Sequence, residues 1–585
     1  MVKGYQEIRP SQFITTFGPG SIVETPSGPV VLKQLGALFT GLGSDQGPDR
    51  FEIVDERLSR TSLAGARIVG IPTNAELALP ANEAIYPTDA FPYWALCAQH
   101  TGYQVLYDAS NGCGECDGKE ARHERRAKAG REAIRFVVAC PGGHMDEVPW
   151  HRLVHGGGSD CSARYFRWFG GGRALRLVRL VCPRCPSEAN LGEAYGRSWR
   201  CSERYVEKGG RPAPSSCARP ARIVQRGSAS LRSAELTTAV TILEIPARLH
   251  ELLGSSTLLK GVRTLRRLGR LEHDELLTEA RESGVSSVDV DYLAQTPWSE
   301  IERALSLVMG DDDNPLSLKD SELDRLESAA SHGAPQGAEG FQRGEPSLFE
   351  VLRSNVREIP GPEGRLVFRV APVSRLRTVM VQTGYRRLEP ETGQLVSTAF
   401  EHRGLTWYPG AELFGEGVYL DLVGGSLSLV GERRSVWQNR HDAHADVAED
   451  SPWRHPVHVW WHSLSHRLLW ALAVDSGYSS AAIRERVYTR VENGTVTGSG
   501  LLLYTVQPGG DGTLGGLISL VDRFGRVLER ALQEVDVCSN DPLCGEAPLV
   551  GADGAACYSC LYASETSCEQ RNQGLDRLLL TQNLP

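Results

Sequence analysis

Cys97-Ala98-Gln99-His100, followed twelve residues later by Cys113-Gly114-Glu115-Cys116, decides how the N-terminal half is read. Zinc takes four soft ligands in a tetrahedron, and a two-residue gap lets one tight turn aim two of them at the same ion. Two such knuckles predict one closed site from Cys97, His100, Cys113 and Cys116, with Gly102, Asn111 and Gly112 suited to the turns between them. A second knuckle, Cys182-x-x-Cys185, is expected to pair with the single cysteines Cys201 and Cys217. Cys140, His144, His155 and Cys161 are left over as candidates for a further site. Their rival reading is that Cys140 and Cys161 are buried apolar thiols and His144 caps a turn.

The C-terminal cluster holds Cys538, Cys544, Cys557, Cys560 and Cys568, five cysteines for four places. The sequence favours Cys544, Cys557, Cys560 and Cys568, with Cys538 as the alternative to Cys544. The cofactor expected is therefore Zn2+, in three closed structural sites with a fourth candidate at Cys140, His144 and Cys161. Four protein ligands leave no position for an activated water, so the closed sites point to folding rather than catalysis.

Fourteen cysteines could instead form disulfides. Met1–Pro10 has no apolar signal core, and CxxC spacing without a secretory signal favours metal. The most apolar long stretch, Trp460 to Val474, carries His462, His466 and Arg467 and is too short to span a bilayer, so it is expected to be a buried helix. A cytoplasmic protein with no membrane contact is the expectation.

At 585 residues the chain exceeds one hydrophobic core, and about 150 residues per unit gives three or four. With 41% hydrophobic and 23% charged residues it is ordinary for a globular protein. The fold class read from the pattern is α+β and multidomain. Residues 1–90 are a mixed strand and loop region, and 91–235 are arginine-rich with zinc knuckles between short strands such as Ile134–Val138. Residues 236–356 are helical, carried by Leu249, Leu252, Leu253, Leu258 and Leu259, then Leu265, Leu268 and Leu271, then Ile301, Leu305 and Val308. Gly310–Pro315 is expected as a loop and 331–344 as a linker. Residues 357–585 are a mixed α/β domain ending in the last zinc cluster. There Arg365–Val373, Val418–Leu422 and Leu501–Tyr504 are expected as strands, and Val457–Val474, Ser479–Val491 and Leu517–Glu534 as helices.

The net charge of −9 conceals an asymmetry: Arg122 to Arg232 holds 22 Lys and Arg against 9 Asp and Glu. An arginine-rich segment on an acidic protein can still bind nucleic acid, because the local field governs contact. Arg164, Arg167, Arg173, Arg176, Arg222 and Arg226 are the candidate phosphate contacts. Tyr165, Phe166, Trp168 and Phe169 between them could stack on unpaired bases. The competing readings are core packing for the aromatics and ion pairing for the arginines.

No GxxxxGK[ST] loop, HExxH, GxSxG elbow or kinase motif set is present. The glycine-rich Gly509–Gly516 reads as a strand-to-helix turn rather than a phosphate cradle. His462-Ser-Leu-Ser-His466 places two histidines on one helical face without a glutamate base between them, and reads as packed core histidines.

Several stretches resemble the DrmB family, the helicase-associated subunits of DISARM bacteriophage-defence systems. They are Arg9-Pro-Ser-Gln-Phe-Ile-Thr-Thr-Phe-Gly-Pro-Gly-Ser-Ile-Val23, Cys140-Pro-Gly-Gly-His-Met-Asp-Glu-Val-Pro-Trp150 and, less specifically, Arg375–Val379 and Gly415–Tyr419. The C-terminal third is similar to a domain of bacterial DNA-repair helicases, through His462–His466, Glu485–Tyr488, Asp511–Gly516 and Cys544, Cys557, Cys560 and Cys568, whose four cysteines bind one zinc in that domain. His100 departs from the cysteine expected in the first knuckle. The resemblance implies a non-catalytic partner, as a heterodimer, of a separate Swi/Snf-type helicase subunit that carries the ATPase. It would support the loading of DNA with a single-stranded region in anti-phage defence. The alternatives are a zinc-dependent nucleic-acid hydrolase working through Cys140, His144, Cys161 and a water, and a pure protein scaffold that never touches DNA.

Overall fold

The computed structural model describes residues 7–42, 47–116, 131–157, 159–170, 174–209, 217–242, 245–309, 317–331, 347–424, 427–443, 455–492, 494–507, 515–546, 554–564 and 566–585. The expected loop at Gly310–Pro315, nearly all of the 331–344 linker and the candidate contact Arg173 lie outside these residues. The chain packs as two units, each gathered from three stretches. The first comprises Met1–Ile53, Ala66–Thr237 and Met380–Ala411, the second Val54–Gly65, Thr238–Val379 and Glu412–Pro585.

The first unit is built mostly from short antiparallel strands, with Arg67–Gly70 pairing in parallel to Trp407–Gly410. Ile22–Thr25 and Gly28–Leu32 form a hairpin that Thr88–Ala90 extends. A six-stranded sheet runs in the order Glu188–Asn190, Arg179–Val181, Tyr165–Phe169, Gln104–Asp108, Trp94–Cys97, Arg131–Ala133. A three-stranded sheet joins Arg222–Gln225, Phe136–Ala139 and Met145–Glu147. Strand alternation decides which side chains form the core. In Tyr165–Phe169, Phe166 and Trp168 are buried while Tyr165, Arg167 and Phe169 take the other face. Phe166 stacks on Trp94 at 6.3 Å, and Trp168 meets Trp150 edge-on at 6.3 Å. Truncating such a residue to alanine costs about 3–5 kcal/mol. Phe166 and Trp168 are therefore core residues and present no face to a base.

In the second unit, the described residues form six helices between Ala247 and Ser331, among them Ala247–Gly254, Ser256–Arg267 and Trp298–Met309. The first five share a core that includes Leu249, Leu253, Leu258, Leu259, Ile301, Leu305 and Val308. Leu268 falls just past the end of its helix and is exposed. The sheet of this unit is antiparallel where Phe414–Asp421 pairs with Gly500–Gln507 and where Ile483–Glu492 pairs with Thr495–Thr505. Both faces are covered. Val418, Leu420, Leu501, Leu503 and Val487 point to a core closed by the helix Pro456–Ser476. Tyr419, Leu502, Tyr504 and Tyr488 point the other way, to Leu323 and Leu326 of Leu318–Ser331.

The helix Pro456–Ser476 starts with proline at its first position, capped by the His455 ring, and ends at Gly477 in the left-handed region. It is buried nearly all round. The indoles of Trp460 and Trp461 reach the Asn583 carbonyl and the Ser499 hydroxyl, each at 3.0 Å. Among the described residues no helix is long and apolar enough to cross a membrane.

Two expected helices differ. Ser479–Val491 is a short 3-10 turn followed by the strand Ile483–Glu492. Its period-two pattern is obscured because both faces bury charge: Glu485 faces the long helix, and Arg486 pairs with Glu322 behind. Leu517–Glu534 is a 3-10 segment, Ile518–Arg523, that passes into the helix Phe524–Leu532. The buried Glu416 carboxylate accepts the amides of Gly515 and Leu517 at 2.8 and 2.9 Å, so these donors serve an internal acid at the turn.

Candidate metal centres

All fourteen cysteines are free thiols. Two sulfurs on one tetrahedral zinc stand about 3.8 Å apart and a sulfur and a nitrogen about 3.5 Å apart, given bonds of about 2.3 and 2.0–2.1 Å. A disulfide would hold two sulfurs at about 2.0 Å. Sulfur separations therefore separate the two chemistries.

Cys97, His100, Cys113 and Cys116 converge as the spacing predicts. Cys97 Sγ is 3.7 Å from Cys116 Sγ, and His100 Nε2 is 3.3 and 3.5 Å from the sulfurs of Cys113 and Cys116. Cys97 ends a strand, which fixes its direction. Glu115, inside the second knuckle, accepts from Tyr103 Oη at 2.6 Å and from Arg167 Nε at 2.8 Å. Burial pulls its pKa up, but these two donors outweigh it and hold the carboxyl below its ordinary range. Burial and the neighbouring thiols push the Cys113 thiol well up, so without a cation it stays protonated.

The next two groups differ from the expected set. Cys201 and Cys217 do not meet Cys182 and Cys185; they meet Cys140 and His144. Cys140 Sγ lies 3.4 Å from His144 Nδ1, 3.4 Å from Cys201 Sγ and 4.0 Å from Cys217 Sγ. Strand pairing is the cause. Cys140 follows Phe136–Ala139, whose partner strand Arg222–Gln225 begins just after Cys217, and a bridge from Trp199 to Ala221 brings in Cys201. The Cys140–His144 loop is held at nearly every carbonyl. Pro141 accepts from the Gln394 amide at 2.7 Å and from Arg219 at 3.1 Å, and Gly143 from Arg387 at 3.0 Å.

Cys182 and Cys185 instead gather with His155 and Cys161. Arg179–Val181 pairs antiparallel with Arg167–Phe169, which sets Cys182 beside the chain entering that strand, with Cys161 Sγ at 3.6 Å. His155 Nδ1 donates to the His151 carbonyl at 3.1 Å, and its buried Nε2 has no hydrogen-bond partner. An orphaned imidazole nitrogen facing three thiols fits a metal ligand. The hydrolase site imagined from Cys140, His144, Cys161 and a water is thus not assembled: Cys161 belongs to another group, and two cysteines close the set at His144.

At the C-terminal end the converging thiols are Cys538, Cys544, Cys557 and Cys560. Cys538 is 3.5 Å from Cys557, and Cys560 is 3.7 and 3.8 Å from Cys544 and Cys557. Cys568 is elsewhere, 3.2 Å from His462 Nε2. The sequence order of five cysteines could not tell the first from the last. Burial raises the Cys557 thiol, but the Ser559 amide and neighbouring thiols bring it down to about 7. Arg577 lies beside Cys544 and Cys560 and offsets their charge.

The candidate nucleic-acid arginines divide. Arg167 is committed to Glu115 and lies over the Tyr103 ring. Arg226 holds Glu24 and the carbonyls of Ala133 and Ile134. Arg164, Arg176 and Arg222 are exposed.

Fold and donors together define a zinc protein of mixed helices and sheets. Residues 464–561 match the family described as the MrfA Zn-binding domain, and residues 9–232, which contain the first three groups, match a domain of unknown function, DUF8724. Over 483 residues the chain is 27% identical to the DISARM protein DrmB of Bacillus paralicheniformis, across 77% of this chain and 81% of that protein. The resemblance to the DrmB family read from the sequence holds along most of the chain. Among solved structures, a DNA-bound DUF1998 helicase, MrfA, aligns with 40% of this chain at 14% identity and a TM-score of 0.22. The alignment spans about a quarter of that helicase, 24%, and fixes neither fold nor function.

Proposed function

We propose that this chain is a non-catalytic, cytoplasmic subunit of a DISARM anti-phage system that completes a separate Swi/Snf-type helicase and helps it hold DNA with a single-stranded region. The observation that carries the reading is the DrmB likeness along most of the chain. The chemistry of the donors supports it. Each of the four thiolate-rich groups presents four protein ligands, so each would take one zinc with no place for a reactive water. In the first unit zinc would crosslink the short strands and the turns between them, and at the C-terminal end it would tie turns together. In the first unit the exposed Arg164, Arg176 and Arg222 would meet phosphates, giving affinity without sequence choice.

The test is co-expression with the helicase subunit. Co-purification, and tighter binding of forked DNA by the pair than by the helicase alone, is the expected result. Failure to associate and no change in DNA binding would sink the proposal. DNA crosslinks to this chain within the assembled pair separate the proposal from a scaffold that never touches DNA.

A further inference from the structure

The four groups above use thirteen of the fourteen cysteines. The remaining one, Cys568, lies past the matched Zn-binding domain, buried against His462, His466 and Glu485. We propose that His462, His466, Glu485 and Cys568 bind a fifth divalent transition-metal ion, zinc by its ligand chemistry, in the interior of the second unit.

Hydrogen bonding carries the inference. His462 Nδ1 lies 3.1 Å from the Gly574 carbonyl and His466 Nδ1 lies 2.7 Å from the Leu561 carbonyl. A carbonyl only accepts, so each Nδ1 bears the proton and each neutral ring keeps its lone pair on Nε2. Those lone pairs converge. His462 Nε2 is 2.9 Å and His466 Nε2 3.2 Å from the same oxygen, Glu485 Oε1, and His462 Nε2 is 3.2 Å from Cys568 Sγ. Protons alone would have to occupy both lines to Oε1, making two cationic imidazoles beside one carboxylate, or leave a lone pair facing a lone pair. One divalent cation serves all four donors. The separations are within a few tenths of an ångström of the edges of a zinc tetrahedron.

Three further features agree. A backbone carbonyl on the far ring nitrogen is the usual support of a metal-bound histidine. Cys568 Sγ accepts the amides of Gln570 and Asn572 at 3.4 and 3.3 Å, and the first repeats the contact two residues on that Cys182, Cys201, Cys538 and Cys557 make. The charge also closes: a dication, one thiolate, one carboxylate and two neutral imidazoles sum to zero, which full burial favours. Binding releases one proton, from the Cys568 thiol. One turn earlier on the same helix, His458 shows the contrast. Its nitrogens face the Thr489 hydroxyl and the Gln570 amide, the partners of an ordinary core histidine.

The experiment is metal counting on purified full-length protein, wild type against Cys568→Ser and Glu485→Gln. Loss of one equivalent in each variant is expected, and an unchanged count overturns the proposal. Should the variants fail to fold, a zinc-edge anomalous difference map of wild-type crystals decides. A peak among the two Nε2 atoms, Oε1 and Sγ supports the site. Peaks at the other groups with none here leave a proton-linked His–Glu–His cluster and overturn it.

Discussion

Arg387 donates from Nε to the carbonyl oxygen of Gly143 at 3.0 Å, from a wholly buried guanidinium. The same side chain reaches the carbonyls of Leu231 and Gly20, each at 3.0 Å, and Glu207 at 3.5 Å. It therefore fixes the loop that presents Cys140 and His144. Arg387→Met strands a buried carboxylate and three carbonyls, and should lower stability by about 3–5 kcal/mol. The checks are the melting temperature of the full chain and faster zinc release to a chelator. Arg387→Lys keeps the charge without the fork and should recover only part of the loss.

The two glycines of that loop have separate reasons. A Cβ on Gly142 would lie 3.0 Å from Cys217 Sγ and 3.3 Å from Cys140 Sγ. Gly143 has φ +84° and a Cβ there would run into the Val396 side chain. Gly143→Ala should destabilise by about 1–3 kcal/mol through strain at positive φ. Gly142→Ala should lower zinc retention more than it lowers the melting temperature. Zinc counting and thermal denaturation on the same samples test both.

The revised grouping predicts how losses combine. Cys140→Ser and Cys201→Ser act on one ion, so the double variant should lose the same single zinc as either alone. Cys182→Ser with Cys201→Ser should lose two. A single zinc lost in the Cys182→Ser, Cys201→Ser double would restore the grouping expected from the sequence.

Glu147 gives a pH signature. Burial, with Asp146 and Asp108 nearby, raises its carboxyl to about 7 although the Tyr93 amide donates to it. A raised acid pKa means the folded state binds the extra proton. Its contribution to stability is complete below the ordinary value near 4.5 and is lost as pH rises to 7 and above. Glu147→Gln keeps the acceptor and should flatten that fall, on the order of 1–3 kcal/mol between pH 5 and 8. Denaturant midpoints of both proteins across that range are the measurement.

For DNA, the arginines should separate by what already holds them. Arg164→Glu, Arg176→Glu and Arg222→Glu should each weaken binding by the helicase pair. Each should also reduce the slope of log affinity against log salt, by about 0.9 for every duplex phosphate that is no longer neutralised. Arg167→Glu should act mainly on the first zinc site, because it sets a carboxylate against Glu115. An unchanged salt slope in the triple variant would remove these residues from the interface.

Much of this was legible in local spacing. The Cys97–Cys116 set closes as its two knuckles indicate, and the buried helix from Pro456 was readable from its apolar run. Chain order failed where partners come from strand pairing. Nothing near Cys201 in sequence announces Cys140; the pairing of Arg222–Gln225 with Phe136–Ala139 and the bridge from Trp199 to Ala221 bring them together. Buried charge hid the strand at Ile483, since Glu485 and Arg486 on its two faces break the apolar alternation that marks a strand. The same bias hid the cluster at His462, whose carboxylate and thiol are remote in sequence.

One set of ligands, from His155 to Cys185, lies wholly within the loop that the set from Cys140 to Cys217 must close. With zinc in both, the inner crosslink shortens the free chain that the outer one has to bring round, and loop closure is easier for a shorter chain. The nesting therefore couples the two ions: a filled inner site lowers the chain-closure cost of the outer, and a filled outer site lowers that of the inner by the same amount, so the pair acts as a double clasp.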